Sequence, residues 1–431
     1  MRTAHAVRRG GMLAVALVGA LLLGQAPASA APAFPDNLED PVRAAEYWLD
    51  GYGVREAWKT TRGKGVKIAI IDTGIAKGPV EFEGAVAGGT DVSGAGSPDG
   101  RTPVGAVDRD HGSWVASLAA ARGTGAGEGM VGVAPEAQLL SVSLGFGASA
   151  TVPFVEQVAK AVRWAVDNGA DVINMSFTTN TPDWDESWDD AFLYAYEHDV
   201  VIVVAAGNRG SGTTRVGAPA TIPGVLTVAG VTPDGTASVE ASTQGITLGV
   251  AAPSEQLLGV SPDGRIVEWN GTSGAAPIVA GIAALVRSAH PELDANNVIE
   301  RILKTARPSP AGGSPLLYGH GLVDAARAVT ASVPSVSENP MGSLAEWIRV
   351  FRRAESEPTP EPTVAPVAIP ALPRADGVTA PGSPLLPSAD TLRYGTLPLL
   401  AFTVPAILVA LGVSAAVRRI RSARVSRTPS R

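Results

Sequence analysis

Short apolar runs alternate with helical patterns over residues 61–330, and this alternation restricts the chain to few architectures. The runs are rich in β-branched residues and too short for helices, as in strands buried on both faces of a parallel sheet. The predicted strands cover residues 66–71, 139–144, 172–175, 200–205 and 225–231, and the predicted helices 112–121, 153–168, 186–198 and 275–289. The alternation predicts an α/β fold with a doubly wound, mostly parallel central sheet and helices on both faces.

The N-terminal residues 1–30 are typical of a secretory signal peptide. Arg8 and Arg9 precede an apolar stretch over residues 12–24, and residues 28–30 (Ala-Ser-Ala) fit a small-residue cleavage site. An uncleaved N-terminal anchor is the alternative, which we disfavour because the apolar stretch is short for a membrane span.

Residues 397–417 lack any charge, and as a helix they would be about 31 Å long, close to the thickness of a bilayer core. The arginine-rich tail over residues 418–431 follows at once, so the positive-inside tendency predicts a single span with this tail in the cytoplasm. A buried core helix is disfavoured because a Pro-rich linker precedes the segment. A sortase signal is disfavoured because residues 397–401 (LPLLA) do not match an LPxTG-type site.

Charge and cysteine content exclude several kinds of function. Removing three positive charges in residues 1–30 and six in residues 418–431 from the net charge of −7 leaves −16 for residues 31–417. An acidic surface argues against nucleic-acid binding. The chain has no cysteine, which rules out disulfides, cysteine nucleophiles and Cys-ligated zinc. No cofactor and no metal site are predicted, and no calcium loop can be read.

These features predict six segments in the chain. They are a signal peptide (1–30), an N-terminal lead-in (31–60), an α/β domain (61–330), a Pro-rich linker (331–396), a transmembrane helix (397–417) and a basic tail (418–431). Within the linker, residues 344–353 could form an amphipathic helix that packs on the α/β domain, on the membrane or on a partner.

Four short motifs in the α/β domain carry the residue types needed for peptide-bond hydrolysis, which predicts that residues 61–330 are a catalytic domain. They are IIDTG (70–74), DHGS (110–113), AAGN (205–208) and GTSGAAP (271–277). Their order, Asp then His then Ser, is one of the known chain orders of a serine nucleophile with its base and orienting carboxylate.

Ser273, His111 and Asp72 are the candidate catalytic residues. Ser273 opens an apolar helical pattern, and the field at a helix N-terminus favours developing negative charge. His111 can take a proton near neutral pH, and Asp72 ends an apolar strand where an unpaired carboxylate would be costly. Asp110 competes for the orienting role, but adjacent residues on a helix do not face each other, which favours Asp72.

Asn208 is the candidate oxyanion donor. It follows a predicted strand, and its side-chain amide could stabilise a tetrahedral intermediate together with the backbone N–H of Ser273. The remaining histidines of the exported part, His198, His290 and His320, lack motif context and are predicted to be surface or capping residues.

These motifs resemble those of the subtilase (S8) serine peptidase family over about residues 45–330. The resemblance implies a subtilisin-like fold with an Asp72–His111–Ser273 triad and Asn208 in the oxyanion hole. It also implies that Ser176, Phe177 and Thr178 line the primary specificity pocket, that Gly147 belongs to a loop that pairs with substrate backbone, and that residues 318–324 close the domain.

The overall arrangement is similar to that of the mycosins, membrane-anchored subtilases of actinobacterial type VII secretion systems. The chain departs from common patterns at Gly274, where many subtilases carry Met, at Ile278, where many carry His, and at Thr178, where a Gly is common. It also lacks the cysteines that mycosins often carry. The lead-in is too short for a usual subtilase prodomain. Either the domain folds without one, or the segment wraps the catalytic domain, as the resemblance to mycosins implies.

The sequence therefore predicts a single-pass membrane protein whose extracytoplasmic domain is a serine endopeptidase acting on exported polypeptides, linked to type VII secretion. The alternative is a structural scaffold that stabilises a secretion complex, with proteolysis secondary. A freely secreted protease conflicts with the predicted span.

Overall fold

The computed structural model describes residues 37–106, 108–125, 127–352 and 391–425. The chain divides into two compact units, residues 1–356 and 357–431. The predicted signal peptide, residues 353–390 of the linker and the tail from residue 426 onward lie outside the described residues. The predicted segment boundaries stay predictions.

A parallel sheet of seven strands forms the centre of the first unit. Its strands are β1 (Lys67–Asp72), β2 (Val86–Asp91), β3 (Gln138–Ser143), β4 (Val172–Met175), β5 (Val201–Ala205), β6 (Leu226–Val231) and β7 (Leu248–Pro253). They lie in the order β2-β3-β1-β4-β5-β6-β7, and every neighbouring pair is parallel. A separate antiparallel hairpin joins β8 (Leu257–Val260) to β9 (Ile266–Trp269).

The helices of the first unit pack around the sheet. They are α1 (Pro41–Ala45), α2 (Tyr47–Gly51), α3 (Val54–Ala57), α4 (His111–Ala120), α5 (Phe154–Asp167), α6 (Ser187–Glu197), α7 (Thr272–Ala289), α8 (Ala295–Thr305), α9 (Pro315–Tyr318), α10 (Ala325–Thr330) and α11 (Leu344–Phe351). α4 packs against α7, and α5 packs against α6.

Strand β1 explains why the sheet needs cover on both faces. Consecutive side chains of a strand point to opposite faces, and every residue from Ile68 to Ile71 is fully buried. The prediction of a doubly wound, mostly parallel sheet with flanking helices is confirmed. The long apolar helix α7 is mostly buried in this core.

The lead-in is part of the folded unit. Trp48 and Leu49 of α2 are fully buried, and the indole N–H of Trp58 donates to the carbonyl of Val133 at 2.8 Å. The described part of the lead-in, residues 37–60, therefore packs into the core of the sheet-containing unit.

The C-terminal segment of the first unit returns to the same body. The ring of Trp347 in α11 lies 4.4 Å, centre to centre, from that of Trp184, and Arg352 forms ion pairs with Glu186 and Asp189. The sequence left open whether this amphipathic helix packs on the catalytic domain, on the membrane or on a partner. In the structure it packs on the sheet-containing unit, beside α6.

In the second unit, a π-helical turn over Thr391–Thr396 leads into helix α12 (Leu397–Val425). Among the described residues, two helices are long and apolar enough to cross a membrane, α7 and the stretch Leu397–Arg419 of α12. α7 is a buried core helix, whereas Leu397–Arg419 has none of its length buried. The latter is therefore the candidate span, with Pro405 inside it.

Candidate active site

The candidate residues gather where the parallel strands end. Asp72 is the last residue of β1, Ser176 follows β4 directly, and Asn208 comes three residues after the end of β5. β1, β4 and β5 are neighbours in the sheet. Because the carboxyl ends of parallel strands share one edge, these residues lie at the position where α/β sheets bind ligands.

A hydrogen bond joins the carboxylate of Asp72 to the imidazole of His111. His111 Nδ1 lies 2.8 Å from Oδ1 and 3.0 Å from Oδ2 of Asp72, whose Oδ1 also accepts from the backbone N–H of Thr73 at 2.7 Å. Asp72 is fully buried, so the imidazole satisfies a carboxylate that has no access to water. A carboxylate accepts only, which assigns the proton to Nδ1 and leaves Nε2 as the basic nitrogen.

The electrostatic environment of His111 favours its charged form. Burial opposes that form, but the charge of Asp72 and its hydrogen bond prevail, with a further contribution from Asp108, and the pKa of His111 is raised above its usual value. The neighbouring Asp110 instead precedes α4 as its N-cap residue and has its carboxylate 3.5 Å from Nε of Arg109.

Ser273 is the second residue of α7, at a helix N-terminus as the sequence predicts. Its hydroxyl donates to the carbonyl of Ser176 at 2.9 Å, and the hydroxyl of Ser176 donates back to the carbonyl of Ser273 at 2.8 Å. In this arrangement the Ser273 hydroxyl is held by Ser176 and not by His111, although both residues line one cavity. Catalytic hydrogen bonds are often long or unformed before substrate binds.

The side chain of Asn208 has a defined orientation. Its Oδ1 accepts from the backbone N–H of Thr272 at 2.8 Å and from the Thr272 hydroxyl at 2.9 Å, which leaves its Nδ2 donors to the cavity. Gly271 makes this possible, because a Cβ at that position would lie 3.0 Å from Nδ2 and its φ of +149° is one that side-chain-bearing residues rarely adopt.

A cavity of about 450 Å³ brings most of the predicted residues together. Its lining includes His111, Ser176, Phe177, Thr178, Asn208 and Ser273, while Asp72 lies behind His111. Gly147, at the start of a short 3₁₀ turn, does not line it, but the adjacent Phe146 does.

Three aromatic residues that line the cavity were not predicted from the sequence: Phe146, Trp114 and Trp269. Trp114 follows the DHGS motif by one residue, and Trp269 precedes GTSGAAP by two. Proximity to the motifs was a usable signal, but single aromatic residues are more often part of a core.

His198 and His290, two of the histidines predicted to be non-catalytic, do not line the cavity. His198 Nδ1 is hydrogen-bonded to the carbonyl of Tyr194 and His290 Nε2 to that of Val329, each at the end of a helix. Within the ranges that the structure describes, no group of three or more His, Cys, Asp or Glu side chains is arranged to hold a metal ion.

Comparison with known proteins places this geometry in a family. The model of the subtilase family matches residues 63–321, which include all four motifs. The chain belongs to the subtilase family. It is a serine protease of this family, and its structural neighbours include an enzyme related to subtilisin.

The mycosins are among the most similar relatives of this subtilase. Mycosin-4 of Mycobacterium tuberculosis is 35% identical over 346 residues, which cover 70% of this chain and 73% of Mycosin-4. A structure described as the MycP3 protease from the type VII (ESX-3) secretion system is 33% identical to this chain. The match covers 66% of this chain and 88% of that one, with a TM-score of 0.56. A structure described as the serine protease MycP1, an essential component of the type VII (ESX-1) secretion system, is 30% identical to this chain. The match covers 66% of this chain and 88% of that one, with a TM-score of 0.55.

Proposed function

We propose that this subtilase is a membrane-anchored serine endopeptidase that hydrolyses exported polypeptides outside the cytoplasm. Asp72, His111 and Ser273 form its triad, and Asn208 is its oxyanion donor. Its work is linked to type VII secretion.

One observation carries the catalytic assignment. The buried carboxylate of Asp72 holds Nδ1 of His111, and the same imidazole lines a cavity with Ser273 and Asn208. A base oriented by a carboxylate, beside a serine at a helix N-terminus and an amide with free donors, supplies the parts of acyl transfer.

The reaction follows from the role of each atom. Oγ of Ser273 attacks the substrate carbonyl carbon while its proton passes to Nε2 of His111. The resulting oxyanion accepts from Nδ2 of Asn208 and from the backbone N–H of Ser273. His111 then gives the proton to the amine as the C–N bond breaks, and water, deprotonated by His111, releases the acyl group from Ser273.

The cellular setting rests on the chain ends and on the relatives. Leu397–Arg419 is a candidate span, the predicted signal peptide would export the domain that precedes it, and the basic tail would stay in the cytoplasm. MycP3 and MycP1, two relatives, are described as parts of type VII secretion systems. A protease held at the outer face of the membrane meets proteins as they leave the cell.

A serine-directed fluorophosphonate tests the catalytic assignment on the full-length chain in detergent. We expect wild type to be labelled, Ser273→Ala to lose the label, and Ser335→Ala, which changes an exposed serine far from the four motifs along the chain, to keep it. An unlabelled wild type that still binds peptides would contradict the enzymatic proposal.

A scaffold role is the second candidate, favoured by the description of MycP1 as an essential component of its secretion system. Comparing a Ser273→Ala strain with a deletion strain separates the two roles. If secretion survives the substitution but not the deletion, the folded chain is needed independently of turnover.

A further inference from the structure

Asn174 is the one polar residue of strand β4, in the middle of the sheet. It lies in register with Ile70 of β1 and Val203 of β5 and is fully buried. Its side-chain Oδ1 is buried too and has no hydrogen-bond partner in the described part of the chain. Because an apolar side chain would avoid the cost of that unpaired oxygen, the polarity of Asn174 needs a reason other than packing of the sheet.

The hydrogen bond that the amide does make leads to Ser273. Asn174 Nδ2 donates to the hydroxyl of Ser176 at 2.9 Å, and that hydroxyl donates to the backbone carbonyl of Ser273 at 2.8 Å. A hydroxyl has a single proton, so Ser176 cannot also donate to Asn174, and the amide must present its nitrogen. We call these three groups, the Asn174 amide, the Ser176 hydroxyl and the Ser273 carbonyl, the β4 relay.

The carbonyl of Ser273 needs a donor from outside its own helix. In an α-helix a carbonyl accepts from the N–H four residues later, and for Ser273 that residue is Pro277, which has no N–H. A backbone carbonyl left unpaired inside a protein is costly. The hydroxyl of Ser176 therefore replaces the missing helical bond and ties the first turn of α7 to the end of β4.

The β4 relay is the contact with Ser176 that can last through the reaction. Oγ of Ser273 also donates to the carbonyl of Ser176 at 2.9 Å, but this bond is lost when the Oγ proton passes to His111. The bond to the carbonyl of Ser273 does not involve that proton. Since a misplacement of about 1 Å can slow a reaction by about 100-fold, whatever holds this turn bears on the rate.

We propose that Asn174 is a positioning residue for Ser273, acting through the hydroxyl of Ser176 to hold the first turn of α7 in place for attack. This inference rests on the proposed function, because it takes Ser273 as the nucleophile. Asn174 is fully buried and does not line the cavity, so its effect belongs to kcat and not to KM.

Asn174→Val tests this role in the full-length chain in detergent, with an ester substrate and rates expressed per fluorophosphonate-labelled site. We expect kcat to fall by about tenfold and KM to stay within about twofold of wild type. The melting temperature should equal or exceed that of wild type, because the substitution also removes the unpaired Oδ1. A lower melting temperature with unchanged kcat per labelled site would make Asn174 a structural residue only and overturn the proposal.

Thr227→Val is the matched control. Thr227 is fully buried in β6 of the same sheet, its hydroxyl donates to the carbonyl of Ala220 at 2.7 Å, and it does not line the cavity. This variant should lose stability, because a carbonyl is left unpaired, and keep the kcat of wild type. Equal falls in kcat in both variants would mean that any polar loss inside the sheet slows the enzyme, which contradicts a specific role of Asn174.

A double-mutant cycle shows whether Asn174 acts through Ser176. Ser176→Ala removes the middle of the β4 relay, so adding Asn174→Val to it should lower kcat by less than about twofold. The comparison is made within the Ser176→Ala background, so any change that this variant itself causes in substrate binding is common to both chains. A full tenfold loss in that background would refute the β4 relay.

Hydrogen exchange separates failure of the β4 relay from failure of catalysis. If fluorophosphonate does not label wild type at Ser273, the proposed function falls, and exchange alone then decides on the relay. In the peptide that contains residues 271–276, backbone amides should exchange about tenfold faster in Asn174→Val than in wild type and at the wild-type rate in Thr227→Val. Unchanged exchange in Asn174→Val would refute the relay, whatever the activity of the chain.

Discussion

The imidazole of His111 sets the pH range in which the proposed base can act. It must be neutral to accept a proton, and the charge of Asp72 outweighs burial and raises the pKa of His111. We therefore expect kcat/KM to fall as the pH drops through a midpoint above the usual value of about 6.5.

Substitution of Asp72 tests this account. Asp72→Asn removes the charge that stabilises the imidazolium and offers Nδ1 the wrong partner, so the midpoint should move to lower pH and kcat should fall by about 10⁴. A pH profile of ester hydrolysis measures both. Asp110→Asn is the control, since this carboxylate faces Arg109, and an Asp72→Asn profile with an unmoved midpoint would contradict the assignment.

The amide of Asn208 is expected to act on the transition state alone. Asn208→Ala should lower kcat by about 100- to 1,000-fold, the loss known for an amide donor of this kind in subtilisin, and leave KM nearly unchanged. Asn168→Ala, on the exposed end of α5, serves as the control. A loss carried by KM would mean that Asn208 binds the ground state instead.

The catalytic candidates could be predicted from sequence because each stands inside a short local motif. Asp72 ends an apolar run, and Ser273 opens a helix. Trp114 and Trp269 were missed, because their convergence depends on the β8–β9 hairpin, whose strand β8 packs against α4. The loss of Gly147 from the cavity lining has a similar cause, since its loop presents the neighbouring Phe146.

Among the secondary-structure elements, the central strands and the amphipathic helices could be predicted from the sequence, but the two edge strands of the sheet could not. The five predicted strands all form, and the predicted helix over residues 275–289 begins only three residues earlier in the structure. Strand β2 was missed because Gly88 and Gly89 interrupt any apolar pattern in this half-exposed edge strand. Strand β7 was missed because its run of small residues ends in proline.

Glu46, between α1 and α2, makes the docking of the lead-in depend on pH. Its Oε1 accepts from the backbone N–H of Val131 at 2.8 Å, while Oε2 is buried and, in the described part of the chain, without a hydrogen-bond partner. Burial raises the pKa of Glu46 well above the usual range, against smaller opposing effects from the Val131 hydrogen bond and from the charge of Arg43. A raised carboxyl pKa means that folding favours the protonated form, so stability falls as the pH rises above the unfolded-state pKa.

Glu46→Gln should therefore stabilise the fold more at pH 8 than at pH 5, because the amide keeps the bond to Val131 and carries no charge. Thermal unfolding at the two pH values measures this difference. Glu56→Gln is the control, because Glu56 is an exposed partner of Lys59. Equal changes in melting temperature for Glu46→Gln at both pH values would argue against a protonated Glu46.

The segment that follows helix α11 should stabilise the packing of that helix beside α6 through one nearly buried ion pair. Arg352 meets Asp189, which is 6% exposed, and the carbonyl of Trp184. Arg352→Gln should lower the free energy of unfolding by about 1–3 kcal/mol, because it leaves the nearly buried carboxylate of Asp189 without its cation. That carboxylate would keep only its hydrogen bond from Trp184 Nε1. Arg349→Gln on the same helix breaks only an exposed pair with Glu346 and should cost less than about 0.5 kcal/mol. Urea unfolding of the two variants decides, and equal losses would refute a special role for Asp189.

For the whole molecule, the distribution of charge indicates how the chain is oriented. Residues 31–417 are acidic, whereas the tail after residue 417 contains only positive charges. Basic residues beside a span are retained in the cytoplasm, so the active-site unit and the tail should lie on opposite sides of the membrane.

The absence of native cysteine makes this orientation directly measurable. Single substitutions place one thiol at an exposed site before the span, Ser335→Cys, or one in the tail, Ser426→Cys. In intact cells, a membrane-impermeant maleimide should label Ser335→Cys and spare Ser426→Cys, because a charged reagent cannot cross the apolar bilayer core. Lysis should expose both thiols, and the cysteine-free parent should stay unlabelled throughout. Labelling of both variants in intact cells would mean that Leu397–Arg419 does not span the membrane, and the reverse pattern would place the protease domain in the cytoplasm.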